Sequence, residues 1–276
     1  MSSSLSFVKC GLPGVKSRVI NDFFRKTQIR LTLTCGIVLP ILCAERMEGL
    51  IIMNKEDILR YIRNVGLVPV LRAPSEEIAL AVSAAIEAGG VPLLEVTMTV
   101  PGAIDAIKKL INGSNGKVVI GAGTVLDPET ARACILAGAQ FIVSPSLNLK
   151  TIEICHRYSV PVIPGALTPT EIVTAWEAGA DVVKVFPCSS VGGAKYIAAL
   201  HGPLPQINLI PTGGVTLATA ADFLGAGSFA LGIGSDLADP KEIVKGTPET
   251  ITANARKYVE IVEKFRKGQS QHSADR

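Results

Sequence analysis

A single lysine interrupts an apolar, β-branched run, Asp181-Val182-Val183-Lys184-Val185-Phe186-Pro187. Burial disfavours the cationic form of an amine, and an uncharged amine attacks ketones to form an imine. A lysine in this setting therefore has the chemistry of a Schiff-base nucleophile. The ordinary alternative is a side chain that snorkels to water or pairs with a carboxylate. Three more polar residues interrupt or follow apolar runs: Arg72 after Leu67-Val68-Pro69-Val70-Leu71, Glu95 within Leu93-Leu94-Glu95-Val96-Thr97, and Thr124 after Val118-Val119-Ile120-Gly121-Ala122-Gly123. A carboxylate buried without a partner is costly, so Glu95 either pairs structurally with Arg72 or Lys184 or moves protons. Thr124 has the alternative of a capping or turn hydroxyl. Thr212-Gly213-Gly214 and Gly232-Ile233-Gly234-Ser235 follow two later runs. Such loops cradle phosphate with backbone N–H groups, or simply turn the chain.

The elements that must position these groups follow a regular rhythm. Short apolar runs begin near residues 67, 93, 118, 141, 160, 181, 208 and 229, each followed by a helical pattern. Gly and Pro bound the runs, as expected for buried strands. Ser75 stands at an N-cap position before Glu76-Glu77. Eight strands alternating with eight helices imply a parallel sheet closed into a single (β/α)8 TIM barrel. An open doubly wound sheet is the rival, but no GxGxxG lies between a strand and a helix. In a barrel the active site lies at the C-terminal strand ends, where Arg72, Glu95, Thr124 and Lys184 all fall. Period-2 alternation puts Leu93, Glu95 and Thr97 on one face. The two glycine loops fall after strands seven and eight, a common phosphate position in barrels.

With these residues in view, the chain resembles the bacterial 2-keto-3-deoxy-6-phosphogluconate (KDPG) aldolase family, also called the 4-hydroxy-2-oxoglutarate aldolase family. The matching segments are Leu94-Glu95-Val96-Thr97, Gly121-Ala122-Gly123-Thr124-Val125-Leu126, Ser144-Pro145, Ile163-Pro164-Gly165, Val183-Lys184-Val185-Phe186-Pro187, Pro211-Thr212-Gly213-Gly214-Val215 and Gly234-Ser235. They occur in family order over about residues 60–240.

The resemblance implies a cofactor-free class I aldolase cleaving a phosphorylated 2-keto sugar acid to pyruvate and glyceraldehyde 3-phosphate. Cleavage of 4-hydroxy-2-oxoglutarate to pyruvate and glyoxylate is a further implied activity. Lys184 would carry the Schiff base and Glu95 the proton transfers. Thr124 would bind the pyruvyl carboxylate, Pro145 and Phe186 would wall the pocket, and Gly213, Gly214 and Ser235 would hold phosphate. A homotrimer is the family expectation. One position departs from the pattern: many members have an arginine four residues after the glutamate, where this chain has Thr99. Arg72 resembles the arginine of other branches and would supply the charge from another strand. The galactonate-derived substrate, a phosphosugar epimerase and a catalytically silent phosphate-binding barrel are the alternatives.

Composition narrows the classes further. The chain of 276 residues is 48% hydrophobic and 18% charged, enough for one large core. Residues 1–52 carry seven Lys/Arg and three Asp/Glu, while the remainder carries 20 and 21, a net −1 that gives the body no basic field for nucleic acid. The apolar run from Leu31 to Ala44 is too short to span a bilayer as a helix. The six cysteines form no CxxC pair, and the three histidines lack ligand spacing. These features imply no metal, no disulfide framework and a reducing, cytoplasmic setting. Residues 1–52 are expected to stand outside the barrel, as a targeting segment or as sequence upstream of a start at Met53. The barrel is expected over 53–267, with a polar tail over 268–276.

Overall fold

The computed structural model describes residues 53–114 and 116–274. The proposed extension over 1–52 lies outside the described residues. Lys55–Val65 forms α1, an amphipathic helix with Ile58 and Ile62 buried and Asn54 as N-cap. The barrel then runs β1 (Leu67–Leu71), α2 (Glu76–Ala88), β2 (Leu93–Thr97), α3 (Ala103–Ser114), β3 (Val119–Gly123), α4 (Pro128–Leu136), β4 (Ile142–Val143) and α5 (Leu149–Arg157). It continues β5 (Val162–Ile163), β6 (Gly165–Ala166), α6 (Pro169–Glu177), β7 (Val183–Val185), α7 (Ala194–His201), β8 (Leu209–Pro211), α8 (Ala220–Gly225) and β9 (Leu231–Ile233). Two helices close the chain, α9 (Pro240–Val244) and α10 (Pro248–Ala274).

The strands are all parallel. Six pair in the order β5-β4-β3-β2-β1-β9 and three in the order β6-β7-β8. The fifth apolar run is broken in two at Pro164, which has no N–H to give to a ladder. Around that seam the Lys184 N–H donates to the Pro164 carbonyl at 2.9 Å. At the other seam a Thr212–Gly232 bridge joins β8 to β9, so the curled sheet closes as a TIM-barrel aldolase fold. The short α9 is an element the apolar rhythm did not announce, and α10 runs through Gly268 to Ala274, past the expected start of the polar tail.

The strand alternation sorts two cores. Leu94, Val96, Ile120, Ala122, Val183 and Val185 face outward onto the helices. Leu93, Val119, Phe141, Val143, Ile163, Val182 and Ile210 face inward and are plugged from below by Ile58 and Ile62 of α1. Each such side chain, fully buried, contributes roughly 1.5–3 kcal/mol. The apolar base leaves the inward residues nearer the strand C-termini to line the other end, and Glu95, Thr97 and Lys184 are those residues.

Among the described residues no helix is long and apolar enough to cross a membrane.

Candidate active site

Glu95 and Lys184 meet across the barrel interior. Their strands, β2 and β7, are not neighbours in either sheet. Lys184 Nζ lies 3.6 Å from Glu95 Oε1, with the side chains 3% and 2% exposed. Oε1 has no hydrogen-bond partner among the described residues. A buried ion pair of this kind is a weak source of stability, because desolvation offsets its attraction. Its value lies in chemistry, since one proton moved from the ammonium to the carboxylate yields a free amine beside a carboxylic acid. The pairing also settles which cation Glu95 faces: Lys184, not Arg72.

Small residues make this contact possible. A Cβ at Gly123 would lie 2.0 Å from Glu95 Oε1 and 2.5 Å from Cδ and Cγ. The glutamate therefore occupies the space that a side chain on β3 would fill. Gly165, paired with Lys184 in the β6–β7 register, passes so close to the next loop that a Cβ would lie 2.2 Å from the Pro145 carbonyl carbon. This brings Pro145 against the wall beside the lysine strand. Phe186 lies on the same face of that run, with its ring centroid 5.5 Å from Lys184 Nζ.

Thr124 follows β3 with φ +55°. A β-branched residue in left-handed backbone is costly and marks a position held by its surroundings. At the end of β2, the Thr97 hydroxyl donates to the Leu71 carbonyl at 2.8 Å and lies 2.6 Å from the Thr99 hydroxyl. Its one proton is committed to Leu71, so Thr99 donates to Thr97. Thr99 thus helps tie β2 to the end of β1, where Arg72 begins. Arg72 is exposed at the rim and makes no salt bridge among the described residues. Its Nη1 would lie 3.5 Å from a Cβ at Gly234, so its charge sits beside the loop after β9.

Backbone donors gather at the same end. Gly213 and Gly214 have φ of +89° and +79°. The Thr212 and Gly213 carbonyls accept from the Cys188 and Ser189 N–H groups at 2.9 and 3.1 Å. In a trans peptide unit the N–H points opposite to the C=O, so the Gly213 and Gly214 N–H groups are turned away from Cys188 and Ser189. The Thr212 N–H and carbonyl are taken by Val185 and Cys188, so the Thr212–Gly232 bridge runs through the Gly213 N–H to the Gly232 carbonyl, and the Gly214 N–H is the one without a partner among the described residues. After β9 the Gly234 carbonyl accepts from Leu237 and Ala238, which leaves Ser235 at the open start of a turn. A free N–H in left-handed glycine backbone, facing an open turn on the next loop, is a start for an anion-binding concavity.

A family model described as KDPG and KHG aldolase matches residues 58–254. The chain belongs to that family. It is similar to the KHG/KDPG aldolase of Escherichia coli K12, 35% identical over 70% of this chain and 91% of the relative. It is also similar to the 2-dehydro-3-deoxy-6-phosphogalactonate aldolase of the same strain, 36% identical over 74% of this chain and all of the relative. Among solved structures it resembles a Legionella pneumophila KDPG aldolase with pyruvate captured as a covalent carbinolamine. That likeness has a TM-score of 0.67 and 29% identity, and covers 72% of this chain and 96% of that one.

This aldolase, a carbon–carbon lyase, thus brings Lys184 and Glu95 into contact and sets Gly213, Gly214 and Ser235 on adjacent loops. Arg72 stands at the rim, apart from the buried pair. Gly123 and Gly165 are site residues that the chemistry-bearing side chains did not point to. The spacing Gly121-Ala122-Gly123 was the signal for Gly123: two side-chain-free positions on the inward face of β3.

Proposed function

We propose that this chain is a class I aldolase that cleaves KDPG to pyruvate and glyceraldehyde 3-phosphate. The observation that carries the reading is the buried Lys184–Glu95 pair at 3.6 Å in the barrel interior. Lys184 Nζ attacks the C2 ketone, and Glu95 as an acid protonates the departing water of the carbinolamine. The resulting iminium is the electron sink. Glu95, now a carboxylate, takes the proton of the C4 hydroxyl, the C3–C4 bond breaks, and its electron pair becomes the enamine of pyruvate. The phosphotriose leaves, the enamine is protonated at C3, and water releases pyruvate and the free amine. Proton transfer by a placed carboxyl of this kind contributes roughly 10²–10⁴-fold.

Thr124 binds the pyruvyl carboxylate, Pro145 and Phe186 wall the reacting carbons, and the loops at Gly213, Gly214 and Ser235 take the phosphate. Arg72 meets the substrate's anionic groups from the rim. The same machinery serves 4-hydroxy-2-oxoglutarate, which yields pyruvate and glyoxylate. The names of the two E. coli relatives differ in the sugar acid, so both C4 epimers are substrates to compare. The protein works as a cytoplasmic homotrimer, with the barrel over 53–267 as its catalytic unit.

The test is the intact mass of the protein after incubation with pyruvate and borohydride, followed by peptide mapping. One reduced pyruvyl adduct on Lys184 is expected, and none in Lys184→Ala. A folded protein that takes no adduct refutes the reading.

A further inference from the structure

The two loops assigned to phosphate hang from β8 and β9, which are joined through the Thr212–Gly232 bridge and, lower down, the Phe229 N–H donating to the Leu209 carbonyl at 2.8 Å. Those links end at Gly213 and do not themselves fix the spacing of Gly213-Gly214 from Ser235. A third contact does. Asp236 follows Ser235 directly, and its Oδ2 accepts from the Leu217 N–H at 3.3 Å in the loop after β8. The same oxygen accepts from the Tyr258 hydroxyl on α10. One turn earlier on α10, Asn254 Nδ2 lies 3.5 Å from the Asp236 carbonyl.

The loop after β8 is itself knotted. Thr219 Oγ1 accepts from the Thr216 N–H and donates to the Gly214 carbonyl, both at 2.9 Å. Leu217 lies inside that knot, so its hold on Asp236 reaches Gly214 through the Thr219 hydroxyl.

Tyr258 takes no part in the lysine chemistry. It is 0% exposed and packs in the main core. A buried phenol needs a polar partner, and this one spends its hydroxyl on the residue beside the phosphate serine. Burial and the bond to Asp236 both raise its pKa, which keeps the hydroxyl a donor. A carboxylate next to a bound phosphate is repulsive in itself. Two donors on one oxygen hold this carboxylate against the neighbouring loop and α10.

We propose that Asp236, anchored by Tyr258, is a positioning residue that sets the spacing of Gly213-Gly214 from Ser235 and so tunes affinity for the substrate's phosphate, leaving the Lys184–Glu95 chemistry unchanged. The inference rests on the reading of these loops as the phosphate site.

The experiment compares the full-length wild type, Tyr258→Phe and Thr219→Val on KDPG and on 4-hydroxy-2-oxoglutarate, which has no phosphate. Inorganic phosphate serves as a competitive probe. Loss of one such hydrogen bond is expected to raise KM for KDPG about 5- to 10-fold, with kcat within about twofold. Inhibition by phosphate weakens in step, while kcat/KM for the unphosphorylated substrate holds. Thr219→Val, which cuts the link from the Leu217 loop to the Gly214 carbonyl and leaves Asp236 and Tyr258 in place, gives the same pattern should Tyr258→Phe prove unstable. Equal losses on both substrates, or an unchanged KM for KDPG in both variants, overturn the proposal. A wild type that phosphate does not inhibit overturns the phosphate-site reading itself, a result read without any variant.

Discussion

Gly123→Ala is a one-carbon change with a large expected effect. The new Cβ would sit 2.0 Å from Glu95 Oε1 and 2.5 Å from its Cδ and Cγ. Non-bonded carbons rest at about 3.5–4.0 Å, so the carboxylate must move by about 1.5 Å. The interior offers little slack, because Glu95 is buried and its Oε1 stands 3.6 Å from Lys184. A misplacement of about 1 Å at a reacting group costs on the order of 10²-fold in rate. Overpacking costs a further ~1–3 kcal/mol of stability, or a Tm lower by about 3–10 °C for a barrel of this size. The assay is pyruvate release at saturating KDPG, with the rate of borohydride trapping read in parallel. Gly121→Ala is the control. Its Cβ would meet the Phe141 ring at 2.4 Å, lower in the barrel, so it should lower Tm while kcat per folded molecule holds. A Gly123→Ala enzyme that turns over within about threefold of wild type would refute the argument that Glu95 depends on this gap.

Glu95→Gln keeps the shape and removes the proton, so kcat is expected to fall roughly 10²–10⁴-fold while the protein stays folded; full activity would remove Glu95 from the mechanism. Thr124→Gly relieves the left-handed φ of +55°, worth about 1 kcal/mol, so Tm should hold or rise while KM for pyruvate in trapping rises; an unchanged KM would make the hydroxyl a bystander. Burial pushes the Cys155 thiol up to about 12 and those of Cys134 and Cys188 to about 11, from a usual 9.0. Below pH 9 both folded and unfolded thiols are protonated and no stability is lost. Between pH 9 and 11 the unfolded thiols ionise first, so stability falls with rising pH, by up to about 1.4 kcal/mol per thiol at pH 10. Urea midpoints at pH 8 and pH 10 check this, and a Cys134→Ala, Cys155→Ala, Cys188→Ala variant should show a flatter dependence; an equally steep one would place the effect elsewhere.

Alternation made much of the site legible in advance. Leu93, Glu95 and Thr97 share a face because a strand has period 2, and Lys184 stood out because apolar neighbours leave a cation no local partner. What stayed hidden depends on distances around a closed barrel. Nothing local says that Glu95 would face Lys184 instead of Arg72, since that choice follows from which strands oppose each other. The break at Pro164 was masked by apolar residues on both sides, although proline's missing donor supplies the reason. The left-handed backbone at Thr124 runs against the preference of its own side chain. The Asp236–Tyr258 bond joins a loop to a helix whose rotation about its axis only packing decides.

The seam at Pro164 has a consequence for how the molecule can be divided. Glu95 belongs to the six-stranded part of the sheet and Lys184 to the three-stranded part. A chain cut anywhere between Thr97 and Asp181 leaves the acid on one piece and the amine on the other. Neither fragment holds a working pair, so activity regained on mixing the two would count reassembled barrels directly. The fold thus carries its own split-protein reporter, silent until its halves find each other.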